Sequence, residues 1–418
     1  MRISTWFGAL SLLVSLLVPS TVLAQTLAEG NNFTTPYFSG ATTIAINDAN
    51  VPSKLYANPV FGGHISRIIP IFSPNSPAYY LVIGNILYVT GHSPGYMHFQ
   101  IEETLPDGRK ILSQPVLFAF YRLRVTTPEA CQGYDSSSHF AAISPVSPLR
   151  LNIVTEPAGI DPKFYVGLID PSLGNVQGPY PNSTFGQEIS VNYVNNGSTT
   201  LQIWQLNPQN TPLVLYSLPL DFLAEKEVNL NLYFVRDAKG YAPQKLSQRA
   251  MTGYMQDAER ILNQAGIRLN IARQEELYIP ESLGRTIDAY SEGISPEEEA
   301  VLSQAVSGSN DKYARHRDTN EVRYRSGRAI NIFLVWDYSI DGQATVGVNF
   351  ETSTLGKVIF VGDRTYKPGE TLAHEIGHAL GLEHNNLAQS FLMSPNEYGN
   401  GTQCALARSE WNTMNANA

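Results

Sequence analysis

The sequence predicts a multidomain chain, all-β in its N-terminal half and α+β from about residue 226 onward. Three observations carry this. The chain is 418 residues long with 43% hydrophobic and 16% charged residues, which suits about two or three domains that each bury a core and excludes disorder as the main state. Up to residue 225 the apolar runs are short, often alternating, and broken by Gly, Pro, Asn and Ser, with no helical periodicity. Beyond residue 225 apolar residues recur at helical spacing between strand-like runs.

Residues 1–24 carry one positive charge, Arg2, then an uncharged stretch through Leu10, Leu12, Leu13, Leu16 and Val18, and close on Val22, Leu23 and Ala24. This is the pattern of a secretory signal peptide, so the mature chain is expected to be secreted, extracellular or periplasmic. Its removal takes only Arg2 from the charge count, so −9 becomes −10. An acidic chain is a poor partner for nucleic acid. No later run approaches the ~18 apolar residues of a membrane span, and no cysteine follows the cleavage point to carry a lipid.

Residues 25–126 are expected to form a β module, with strands such as His64 to Phe72, Tyr79 to Thr90 and Val116 to Val125. The Pro/Ser-rich stretch 127–148 is expected to be a linker. Strand-like runs at Leu149 to Val154, Lys163 to Ile169, Glu188 to Tyr193, Thr199 to Leu206 and Leu213 to Leu218 then predict a small β-sandwich over 149–225, so the N-terminal half is made of Ig-like, sandwich-type modules. Residues 226–418 open with a strand at Val228 to Val235. A helix is expected from Pro243, with Leu246, Ala250, Tyr254, Ala258, Ile261 and Ala265 on one face and Gly266 at its end. Ile267 to Ala272 is the next strand. Ser295, Pro296 and Glu298 form a capping box for a second helix running to Val306. Three strands follow, Ala329 to Trp336, Thr345 to Phe350 and Lys357 to Val361, and the middle one is a candidate sheet edge able to bind an extended peptide by strand addition.

The chemistry concentrates in His374-Glu375-Ile376-Gly377-His378-Ala379-Leu380-Gly381-Leu382-Glu383-His384, followed by Met393 in Leu392-Met393-Ser394-Pro395. On a helix His374 and His378 lie one turn apart on one face and can aim at a single point. A catalytic zinc takes three protein ligands and keeps a fourth place for water. A glycine at 381 can take φ > 0 and end the helix, letting the chain turn back to present His384 as the third ligand. Glu375, beside the first ligand, is placed to take a proton from the zinc-bound water as that water attacks a carbonyl. Chance occurrence of the full spacing in this composition is on the order of 10⁻⁵. Peptide-bond hydrolysis is the chemistry these residues point to.

These residues resemble the metzincins, a clan of zinc endopeptidases marked by this three-histidine motif and a methionine turn. The resemblance is motif-specific over His374 to Pro395 and architectural over roughly 226–418. It implies His374, His378 and His384 as ligands of one catalytic Zn2+, Glu375 as the general base, Met393 beneath the metal, and a mixed five-stranded sheet with an active-site helix. The wording around Gly377 to Leu382 is most similar to the matrixins. Asn385 departs from the residue that each familiar branch places after the third histidine, and Pro395 replaces the tyrosine of astacins and serralysins, so the subfamily stays open. Residues 317–373 hold no histidine for a second, structural zinc. Tyr398 is a candidate for the pocket wall. His64, His92, His98, His139 and His316 have no ligand spacing.

The expected partner is thus a protein or peptide substrate, and the expected activity that of a secreted zinc endopeptidase. A different class competes: a surface-binding or adhesive protein whose β modules bind protein or glycan while the protease part is secondary. A third reading makes 25–225 a propeptide. Only two cysteines are present, Cys131 and Cys404. The segment around Cys131 lacks the arginine and glycine that flank the latency cysteine of matrixins, so a Cys131–Cys404 disulfide is expected, pinning 127–148 to the end of the chain.

Overall fold

The computed structural model describes residues 35–46, 52–71, 76–128, 131–135, 138–160, 162–182, 186–206, 212–237, 239–279, 286–290, 293–307, 329–340, 343–344, 346–352, 355–395 and 402–418. Residues 1–24, expected to be a signal peptide, His316 and Tyr398 lie outside the described residues. The chain divides into two compact units, the first comprising residues up to Thr42, Pro52–Thr90 and Tyr96–Ala119, the second Thr43–Val51, Gly91–Gly95 and Phe120–Ala418.

The first unit is all-β. Strands Tyr37–Ser39, Ser53–Asn58, Ile86–Gly91 and Ala78–Ile83 make one sheet in that order, and His64–Ile71 and Lys110–Leu112 pair antiparallel with Gly95–Thr104. Alternation sends Leu55, Ala57, Leu87, Val89, Phe99 and Ile101 inward. Phe118 packs edge-on against Phe38 and Phe99, at 5.4 and 4.9 Å between centroids. Buried Glu103 accepts N–H bonds from Val60, Phe61 and Gly63 at 2.9, 2.9 and 3.0 Å. Burial alone would raise its pKa, but the three donors outweigh it and hold the carboxyl below the usual range.

The second unit begins with a sandwich region. One sheet runs Tyr134–Asp135, Phe140–Ile143, Pro212–Phe222, Gly197–Leu206, Tyr165–Leu168. Leu149–Glu156 pairs antiparallel on one side with Gly186–Tyr193 and on the other with residues 122–126. Leu149, Leu151, Ile153, Ile189, Val191, Leu201, Ile203, Leu218 and Leu220 share one core. The stretch 127–148, expected as a linker, is not one. It contains two strands, and Phe140–Ile143 is buried throughout and pairs in parallel with Leu220 to Phe222. Its four apolar residues are a short buried strand whose signal is diluted by the surrounding Pro and Ser.

From Lys226 the fold is α+β. Besides a small separate sheet of Gly293–Ile294, Thr286–Tyr290, Asp337–Ile340 and Gln343–Ala344, its main elements are β1 (Lys226–Arg236), α1 (Gln248–Leu262), β2 (Ile267–Tyr278), α2 (Pro296–Ser307), β3 (Ala329–Val335), β4 (Gly347–Thr352), β5 (Gly356–Gly362), α3 (Pro368–Ala379) and α4 (Arg408–Asn417). The five strands form a mixed sheet, order β2-β1-β3-β5-β4. Pairs β1–β2, β1–β3 and β3–β5 are parallel, and only edge strand β4 is antiparallel. Period-2 alternation gives the sheet two apolar faces. Leu230, Leu232, Ile330, Ile332, Leu334, Ile359 and Val361 share a core with Met251, Met255, Ala258 and Ile261 of α1 and Leu372, Ala373 and Ile376 of α3. Tyr233, Val235, Phe333, Val358 and Phe360 pack on the opposite side with Leu302 of α2.

Helix α1 starts later than Pro243 suggests, with Ser247 as N-cap. The backbone N–H groups of Gln244, Lys245 and Leu246 go to the carboxylate of Asp363 instead, at 3.2, 2.7 and 3.3 Å. After Leu262 the helix tightens into a 3₁₀ turn, Asn263–Ala265, and Gly266, with φ 71°, ends the run as predicted. At α2 the Ser295 backbone N–H reaches Glu298 Oε2 at 3.1 Å and the Glu298 N–H returns to Ser295 Oγ at 3.2 Å, a complete capping box. Among the described residues no helix is long and apolar enough to cross a membrane.

The sandwich region and the α+β region share a core. Phe140 and Ala142 belong to the cluster of α1, α3, Trp411 and Met414. The Arg408 guanidinium sits 3.6 Å from the Phe140 ring centroid and its Nε pairs with Asp221 at 3.3 Å. Cys131 and Cys404 are joined in a disulfide with Cα atoms 5.3 Å apart and a sequence separation of 273. Closing so long a loop restricts the unfolded chain strongly. Cys131→Ser with Cys404→Ser is expected to cost about 2–5 kcal/mol, checked by denaturant midpoints of the oxidised parent and the double variant.

Candidate metal centre and substrate cleft

Helix α3 places the site. Pro368 occupies its first turn, where a missing N–H costs nothing. Leu372, Ala373, Ile376 and Ala379 turn into the core, which leaves His374 and His378 stacked on the cleft side. The helix ends in a Schellman motif: the Leu382 N–H bonds Gly377 O at 3.0 Å and the Gly381 N–H bonds His378 O at 2.9 Å. Gly381 has φ 90°, a conformation that costs an L-residue about 1–2 kcal/mol, and a methyl there would also meet Asn417 Nδ2 at 2.7 Å. The remaining carbonyls of the last turn are capped by long-range donors, Asn417 Nδ2 to Leu380 O at 2.8 Å and Lys357 Nζ to Ala379 O at 2.5 Å.

The turn at Gly381 brings His384 back to the helix. His374 and His378 Nε2 are 3.1 Å apart, and His384 Nε2 lies 3.1 and 3.2 Å from them. Tautomers follow from the other ring nitrogens. His374 Nδ1 is 2.7 Å from Leu392 O and His378 Nδ1 is 2.8 Å from Leu382 O. A carbonyl only accepts, so both Nδ1 atoms carry the proton and both Nε2 atoms present lone pairs. Burial lowers the pKa of His374 to about 4 and that of His378 below its ordinary value, favouring the neutral, ligating form of each.

This donor set fits a tetrahedral cation. Ligand atoms at ~2.05 Å from a zinc sit about 3.3 Å apart, close to the spacing here. Three imidazole nitrogens with both described Nδ1 protons held by carbonyls are the donor chemistry and outer shell of such a site. Among the described residues this is the one cluster of three metal-binding side chains.

Glu375 lies in the same cleft, which has a volume of about 420 Å³ and is also lined by Val346 to Asn349, Thr371, Ser394 and Pro395. The residue is 5% exposed, and burial pushes its pKa up to about 8. Gly347 of β4 lies against it, since a methyl at 347 would come within 2.9 Å of Glu375 Cγ and Cδ. Met393 is fully buried beneath the helix, and a methyl on Gly377 would come within 2.9 Å of its sulfur. Its turn is tied to the third histidine's segment by Asn385 N–H to Met393 O at 2.9 Å.

The structure therefore brings together His374, Glu375, His378, Gly381, His384 and Met393. His64, His92, His98 and His139 take no part in the cluster. Sequence reasoning missed the carbonyls of Leu382 and Leu392, which have no side-chain signature, and the closeness of Gly347 to Glu375, for which a glycine inside a predicted edge strand was the available signal.

A comparison with protein-family models finds no match, and a comparison with curated proteins finds none either. Solved structures similar to parts of the chain include the fibronectin(III)-like modules of Clostridium thermocellum CbhA, at 11% identity over 45% of this chain and 95% of that one with a TM-score of 0.20. The D00-D0 domain of intimin matches at 7% identity over 44% and 98%, TM-score 0.19. The C-terminal 282-residue fragment of intimin, solved with the intimin-binding domain of the translocated intimin receptor, matches at 12% over 44% and 62%, TM-score 0.23. Likeness at this level carries no functional argument.

Gly381→Ala should destabilise the fold by about 1–2 kcal/mol and, by shifting His384, weaken metal binding. Thermal melts beside zinc titration of the variant check both effects.

Proposed function

We propose that this chain is a secreted zinc-dependent endopeptidase whose catalytic part is of the metzincin kind. The observation that carries the reading is the convergence of three imidazole Nε2 atoms at 3.1 to 3.2 Å in one cleft with the buried Glu375. His374, His378 and His384 would hold the zinc as its protein ligands. When bound in such a site, zinc polarises a carbonyl and lowers the pKa of water to about 7.

The chain's own residues supply the rest. Edge strand β4 pairs with β5 on one side and lines the cleft with Val348 and Asn349, so its other edge can take an extended peptide as an added strand. Gly347 keeps a side chain out of the space beside Glu375. In its ionised form, which a cation held beside it would favour over the neutral acid, the Glu375 carboxylate takes a proton from the attacking water and gives it to the nitrogen of the departing amine. One water is consumed, the C–N bond breaks, and a carboxylic acid and an amine leave. Ser394 and Pro395, after the methionine turn, wall the cleft.

A second reading has a specific feature in its favour. In the first unit Tyr79, Leu81 and Ile83 are 70%, 58% and 56% exposed along the edge strand Ala78–Ile83, and apolar surface of this kind suits a β module that binds a protein or glycan surface. In that reading the protease part is secondary.

Glu375→Gln should retain zinc and lose ~10²–10⁴-fold in turnover, whereas His384→Ala should lose both metal and activity. Metal analysis and cleavage of a diverse peptide mixture on both variants decide between the readings: parent-rate cleavage by Glu375→Gln, or a parent protein that cleaves nothing with zinc supplied, sinks the peptidase assignment.

A further inference from the structure

The three imidazoles are not held alike. His374 and His378 are each oriented by a carbonyl on Nδ1. His384 is solvent-exposed, and among the described residues its ring has hydrogen-bond partners only at Nε2. Its orientation must therefore come from the backbone that carries it. The next residue, Asn385, is fixed at three points: its N–H bonds Met393 O at 2.9 Å, its Oδ1 accepts the Leu387 N–H at 3.1 Å, and its Nδ2 donates to Glu410 Oε1 at 2.6 Å.

Glu410 is itself immobilised. It is 7% exposed, and its second oxygen accepts the Ala407 N–H at 2.6 Å at the start of α4. That helix is anchored by Trp411 and Met414 in the core and by Asn415 Nδ2 to Ala224 O and Ala265 O, both at 2.8 Å. In this buried setting both Glu410 oxygens accept an N–H donor, from Asn385 and from Ala407, and such bonds are stronger than in water.

We infer that Glu410 and Asn385 form the positioning pair for His384, so that the C-terminal helix sets the third corner of the metal site. Neither residue touches the reacting atoms. The inference rests on the metal-site reading, and the pair does for His384 what the two carbonyls do for the other ligands.

The test exploits the direction of the hydrogen bond. Asn385→Asp sets one carboxylate against another and should raise the zinc dissociation constant ~10–100-fold, and should also alter the visible absorption of the cobalt(II)-substituted protein. Combining Asn385→Asp with Glu410→Gln reverses donor and acceptor. The amide introduced at 410 then donates to the carboxylate at 385 while its oxygen keeps the Ala407 N–H, and zinc affinity and cobalt spectrum should return toward the parent. Melting of the metal-free proteins shows that each is folded. A folded Asn385→Asp protein with the parent's affinity and spectrum overturns the inference, as does a folded double variant with no recovery. A parent that binds no zinc overturns the metal-site reading itself, and this inference with it.

Discussion

For His374, His378 and His384 to hold a cation as proposed, three lone pairs must point at one spot with no proton between them, and much of the structure around the cleft fits that requirement. A neutral imidazole has one N–H and one lone pair, so each proton has to be parked on the far nitrogen. For His374 and His378 the parking places are Leu392 O and Leu382 O. Leu382 is delivered by the left-handed turn at Gly381. Leu392 is delivered by the methionine turn, held through the Leu392 N–H to Ala405 O at 2.8 Å. Without a cation, the His374 and His378 lone pairs, 3.1 Å apart, repel each other, so carbonyls that hold both rings this way make sense if a cation sits between them as proposed.

Glu375 poses the opposite problem. Its carboxyl is buried among groups that do not neutralise it, and its raised pKa follows from burial. The sheet accommodates it by leaving a side chain off the facing strand at Gly347. Glycine weakens a strand interior, so its presence in β4 makes sense as clearance. The same omission ties the sheet edge to the helix: the element able to receive an extended chain is also the one in contact with the carboxyl that would act on it.

What was legible in the sequence is what local spacing dictates. The i, i+4 histidines, the glycine that ends the helix and the third histidine beyond it are a pattern of one helix and one turn, as are the capping box at Ser295 and the stop at Gly266. What was not legible depends on partners far along the chain. Helix α1 starts at Gln248 and not near Pro243 because Asp363 takes three backbone donors from over a hundred residues away. Phe140 to Ile143 read as linker because only their parallel pairing with Leu220 to Phe222 makes them a strand. Asn385 stood out as a departure from the resembled families, but nothing near it in sequence pointed to Glu410.

These long-range ties bear on whether residues up to 225 could be shed as a propeptide. The position of α4 depends on Arg408, whose guanidinium rests on Phe140 and pairs with Asp221, and on Asn415, which bonds Ala224 O. All three partners precede residue 226. Since α4 carries Glu410, and Glu410 holds the residue beside His384, cutting them away would loosen the third corner of the proposed metal site. A cut near residue 225 would also leave the preceding fragment attached through Cys131 and Cys404. The sandwich region is better understood as the fixed wall against which the C-terminal helix is set, and any latency of the proposed peptidase has to be sought in segments that do not share its core.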